Sequence, residues 1–111
     1  MTQDRMNLLD ACEKAATIVS RAQEMERLYR RGIKCFGEGE LRTKIMDIAL
    51  DAVEDEDMRQ EVFVSDENML SFFCGIWIQF LLIEVAGIKK EKLRAIAQKV
   101  FMDFQEDKSL H

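Results

Sequence analysis

Any chemistry in this chain has to come from its carboxylates, because the other reactive side chains are scarce and badly spaced. The single histidine is His111, the last residue, and Cys12, Cys35 and Cys74 lack Cys-x-x-Cys spacing. A zinc centre or a Cys/His or Ser/His nucleophile pair needs several such groups converging on one point, so neither is expected. No glycine-rich loop of phosphate-binding form is present. The 21 Asp and Glu residues require closer inspection.

Helical di-metal bundles aim Glu-x-x-His pairs inward, a pairing that one terminal histidine cannot supply. All-α nucleotide pyrophosphohydrolases of the MazG type carry Glu-x-x-Glu followed later by Glu-x-x-Asp. Residues Glu54 to Asp57 give only the second half. A calcium loop starting at Asp55 would place Asp57 correctly, but it puts Arg59 at the fifth position and Gln60 where glycine is needed. No catalytic residue, metal or cofactor is therefore assigned.

The charges are instead arranged like surfaces. Between Asp47 and Glu67 stand nine acidic residues against Arg59 alone, while Arg27 to Lys44 carries six basic residues against Glu38 and Glu40. The acidic run reads as a solvated turn or as a docking face for a basic protein. Its candidate residues are Asp47, Asp51, Glu54, Asp55, Asp57 and Glu61. The basic group Arg27, Arg30, Arg31 and Lys34 is the candidate nucleic-acid contact, although a net charge of −5 disfavours general nucleic-acid binding. A helix-turn-helix formed across Gly87, with Lys90, Lys92, Arg94 and Lys99 on its second helix, is weakened by the large Ile83 where a small residue is usual.

Glu84 shares a helical stripe with Phe73, Trp77 and Phe80. Lying one turn from a helix end, it is expected to reach solvent or a lysine rather than act as an acid. The odd number of cysteines, with no secretory leader in view, suits a reducing cytoplasm with buried or half-buried thiols. Only Cys35, beside Lys34 and near Arg30 and Arg31, has electropositive neighbours that favour a thiolate.

The element that must position everything else is residues 69–86, MLSFFCGIWIQFLLIEVA, in which only Ser71, Gln79 and Glu84 are strongly polar. Ser65 is an N-cap with acidic residues after it, and Gly87 is a C′ glycine. The run is short for a membrane span and carries its Trp in the middle, so no membrane is expected. Around it the periodicity places helices at about 4–31, 40–54, 57–63 and 90–106, with Gly32 ending the first. The first has Leu8, Cys12, Ala15, Val19, Ala22 and Tyr29 on its core face. The second has Leu41, Ile45, Ile48, Ala49, Ala52 and Val53, and the last has Leu93, Ile96, Ala97, Val100, Phe101 and Phe104. With no proline, five glycines and 111 residues, the expectation is one all-α domain. It is an antiparallel bundle of about four helices plus a short one.

Helix 66–86 is apolar all round, more than three amphipathic neighbours can cover. A homodimer meeting through Leu70, Phe73, Trp77, Phe80 and Leu81 answers that surplus. The expected function is a non-catalytic protein-interaction module of adaptor, chaperone, immunity or inhibitor type. A helical nucleic-acid-binding regulator is the alternative, and an all-α hydrolase with a carboxylate site is third.

Overall fold

The computed structural model describes residues 2–93 and 95, and among these the chain is all-helical with no strand. The elements are α1 (Thr2–Arg21), α2 (Glu26–Phe36), α3 (Glu38–Ala52), α4 (Glu56–Val62) and α5 (Asp66–Phe80), the last running on as a π-helical segment, Leu81–Val85. Of the helix expected over 90–106, residues 90–93 and 95 are helical. The remainder of that helix, including Ile96, Ala97, Val100, Phe101, Phe104 and the basic Arg94 and Lys99, lies outside the described residues.

Helix α5 packs chiefly along α1 and also against α3; α4 touches α5, while α2 contacts the π-helical segment, α1 and α3. Since α4 directly precedes α5 and α2 packs on its far end, α2 and α4 lie toward opposite ends of the bundle. Helix α2 lies along the second half of the helical stretch Asp66–Val85, with Tyr29 against Trp77 and Phe36 against Phe80, beginning about 16 Å along the axis from Asp66.

The large side chains that recur every four residues along α5 form the core. Phe73, Trp77 and Leu81 have no exposed surface and Met69 is buried with them, against Leu8, Cys12, Ala15 and Val19 of α1 and Leu41, Ile45 and Ala49 of α3. The small residues of α1 let α5 approach closely enough for the Trp77 indole N–H to donate to the Cys12 carbonyl at 3.1 Å. This satisfies the one polar group of a fully buried ring. Tyr29 of α2 reaches the same ring, with centroids 5.6 Å apart.

Caps set the ends of α5 as the sequence predicts. The Ser65 hydroxyl accepts from the Asn68 N–H at 3.1 Å. At the other end Gly87 takes φ +72°, and the Ile88 N–H donates to the Leu82 carbonyl at 2.9 Å. In the acidic run, Asp55 caps α4 by accepting the Asp57 N–H, so part of that run serves local structure.

Several expectations are corrected. The single helix over 4–31 is two helices: residues 22–25 form a turn in which Ala22 is exposed and Met25 buried. No glycine or proline marks this break. It follows from tertiary packing, which swings α2 across the end of α5. Gly32 does not end a helix but sits buried within α2. An added Cβ there would meet Leu81 Cδ2 at 3.1 Å and Val85 Cγ2 at 3.4 Å, so glycine permits the close approach to the π-helical segment. The connection between α2 and α3 is Gly37 alone, at φ +85°, a conformation that suits glycine. On α3, Ile48 is 43% exposed and Met46 is buried, because the core stripe is rotated slightly from the one counted in sequence.

Among the described residues, helix 66–86 is also not surrounded. By length and composition Asp66–Val85 is apolar enough to cross a membrane, with a mean hydropathy of 1.6, yet only 22% of its most apolar window is buried.

Candidate functional site

Three surfaces emerge. The first is the acidic end. Asp47 and Asp51 lie four residues apart on α3, Glu54 and Asp55 in the turn after it, and Asp57 and Glu61 four apart on α4. All six are exposed. Among the described residues none of them forms an ion pair, so their charge is directed at solvent. Glu54, Glu56 and Asp66 line an open cleft of about 910 Å³ together with Arg59, Gln60 and Phe63. The other candidate carboxylates stand outside it. Among the described residues no group of three His, Cys, Asp or Glu side chains is placed to hold a metal ion.

The second surface is α2, where Arg27, Arg30, Arg31 and Lys34 are all exposed and fall within one arc of the helix. Glu26 neutralises Arg30 at 2.7 Å. Because α2 and α4 lie toward opposite ends of the bundle, the acidic and basic groups of the described residues are set apart. A neighbouring basic residue is used inside the fold instead. Arg42 of α3 binds Glu13 of α1 at 3.3 Å and Glu38 at 3.0 Å, tying α1 to α3. Spacing announces the Glu38–Arg42 pair, whereas the link to Glu13, 29 residues away, has no sequence signal.

The third surface is the outside of α5. Ser71, Gly75, Ile78 and Gln79 are exposed and Leu82 is half-buried, and among the described residues nothing lies within 4 Å of the position a Gly75 Cβ would take. No charged residue occurs between Glu67 and Glu84. Beside this face an apolar groove of about 340 Å³ runs between α3 and α5, lined by Ile48, Ile76, Phe80 and Ile83, with Gln79, Glu84 and Lys90 also on its walls. Glu84 is exposed there.

The residues expected at a dimer contact are placed differently. Phe73, Trp77 and Leu81 are fully buried inside the single chain and have no surface to offer a second copy. Leu70 and Phe80 are half-buried, and Phe80 stacks on Phe36 at 5.8 Å. The large side chains are drawn into the core of the chain, which leaves the smaller ones outside.

The thiols divide by environment. Burial pushes the Cys12 thiol up, against an opposing effect of the Trp77 side chain, and burial also raises Cys74. Cys35 is exposed on α2. Protein-family models, curated proteins and solved structures give no match to this chain.

Proposed function

We propose that this protein is a non-catalytic interaction module that captures a basic protein partner through its acidic end and self-associates as a homodimer. The observation that supports capture is the set of exposed carboxylates from Asp47 to Glu61, without an ion pair among the described residues. Unneutralised charge of one sign on rigid helices accelerates encounter with the opposite sign and rejects like-charged molecules. The self-association half rests on a long apolar helix of which little is buried. Surfaces of that kind mark interaction sites.

The test is affinity capture from the source cell with the full chain and with an Asp55→Lys, Asp57→Lys variant, bound proteins being identified by mass spectrometry. A basic protein held by the wild type, released by salt and lost from the variant supports the reading. Equal capture by both proteins removes the acidic end from the function. A gel shift at low salt, where phosphate contacts are strongest, tests the α2 arginines; retardation there favours the nucleic-acid reading instead.

A further inference from the structure

We infer that a second copy of this chain docks on the outer face of α5, antiparallel to the first, with the two-fold axis passing near Ile78. The inference rests on the interaction-module reading and assigns its self-association to a surface.

Charge selects the face. Each copy carries a net charge of −5, and its acidic end is exposed, so two copies brought together through that end repel. The stretch from Asn68 to Ile83 has no charged side chain and is the long face on which like-charged molecules meet without opposing charges. A two-fold interface presents the same patch from both sides, and an uncharged patch is compatible with itself.

Orientation follows from the ends of the same helix. Asp66 and Glu67 begin α5, while Lys89, Lys90 and Lys92 follow its C-terminal end, and all five are exposed. A parallel pair would place acid beside acid and lysine beside lysine. An antiparallel pair sets the acidic start of each helix toward the lysines of the other and keeps the two acidic ends apart.

Shape adds the register. With the axis near Ile78, Leu82 of one copy faces Gly75 of the other, where no atom of the described residues lies within 4 Å of the Cβ position. A half-buried leucine thus enters the open space over a glycine, twice by symmetry. Ile78, 37% exposed, meets its own counterpart on the axis. The groove lined by Ile48, Ile76 and Ile83 flanks this contact and extends the apolar area.

A bilayer is another occupant suggested by so apolar a helix. It would require α5 to leave α1, breaking the Trp77 to Cys12 hydrogen bond and uncovering the core stripe, or else to bring the charged Asp10, Glu13 and Lys14 of α1 into lipid at high cost.

The experiment is sedimentation equilibrium of the full chain, wild type against Ile78→Asp and Gly75→Leu, with helicity followed by circular dichroism. Ile78→Asp sets two carboxylates face to face and Gly75→Leu fills the space Leu82 enters. Each variant is expected to weaken the dimer by about tenfold or more while keeping wild-type helicity. Because a variant can fail for other reasons, oxidation with copper phenanthroline in a Cys35→Ser, Cys74→Ser background supplies an independent reading. Ile78→Cys should form covalent dimers and Ser71→Cys should not, since only the axial position meets itself. A wild type that is monomeric at about 100 μM, a dimer indifferent to both substitutions, or efficient Ser71→Cys cross-linking overturns the inference. So does co-sedimentation of a monomeric chain with phosphatidylcholine vesicles. Capture of the basic partner is read through Asp55 and Asp57, so loss of the dimer alone leaves the module reading standing.

Discussion

The two faces of α5 are both free of charge and have opposite fates. One face carries Met69, Phe73, Trp77 and Leu81 and is sealed against α1 and α3; the other carries Ser71, Gly75, Ile78, Gln79 and Leu82 and remains largely in solvent. The outer face carries the polar Ser71 and Gln79 and the small Gly75, whereas the covered face has only large apolar side chains. Polarity, side-chain volume and spacing together separate them. Large residues at every fourth position gain the most from leaving water together, and the Ala15 and Ala49 they meet are small enough to admit them. An all-round apolar helix therefore need not lie at the centre of its protomer. It can be half core and half surface, the second half being where binding is sought.

Substitutions on the two faces test that division. The largest effect is expected for Trp77→Ala, which removes a fully buried ring and its hydrogen bond to Cys12. It should destabilise the protein by about 3–5 kcal/mol in urea unfolding. A loss as small as that of a surface change would show that the buried stripe is not the core. Gly32→Val comes next, because its side chain must enter space held by Leu81 and Val85. Overpacking of this kind costs about 1–3 kcal/mol, and reduced thermal stability would locate the strain at the α2 contact. Ser65→Ala deletes the N-cap hydrogen bond to Asn68 and should cost about 1 kcal/mol, read by the same unfolding experiment. The smallest effect belongs to the outer face. Ile78→Ala should change the stability of the dilute protomer by less than about 0.5 kcal/mol while flattening the concentration dependence of Tm that a dimer imposes.

The two ends of the molecule make a second contrast. The acidic residues around α4 and the basic residues of α2 are separable in the sequence by counting, and the structure adds that they lie toward opposite ends of one bundle. The ion pairs Glu26–Arg30, Glu38–Arg42 and Glu40–Lys44 temper the charge of α2 and α3, whereas the six acidic candidates lack such partners among the described residues. This asymmetry is the basis of the proposed capture of a partner at the acidic end.

Much of the helical order was readable from local rules. Ser65 as a cap, Gly87 as a stop, the amphipathic α3 and the short α4 each depend on side chains within a few residues of one another. The break at residues 22–25 was not readable, since its cause is distant: Met25 is buried and α2 crosses the far end of α5. The buried place of Gly32 within α2 has the same kind of distant cause. A glycine that ends a helix and a glycine that admits a neighbouring helix look alike until the neighbour is in place.

The candidate surfaces divide similarly. Composition alone identified the acidic residues from Asp47 to Glu61 and the basic residues Arg27, Arg30, Arg31 and Lys34. It also identified helix 66–86 as more apolar than three neighbours can cover. Only the tertiary structure decided which side of that helix is covered. Periodicity gives the angle between side chains on one helix, but which angle points inward depends on the volumes presented by other helices. For α5 that choice buried Phe73, Trp77 and Leu81, the residues first expected at a dimer contact, and left Gly75 and Ile78 outside.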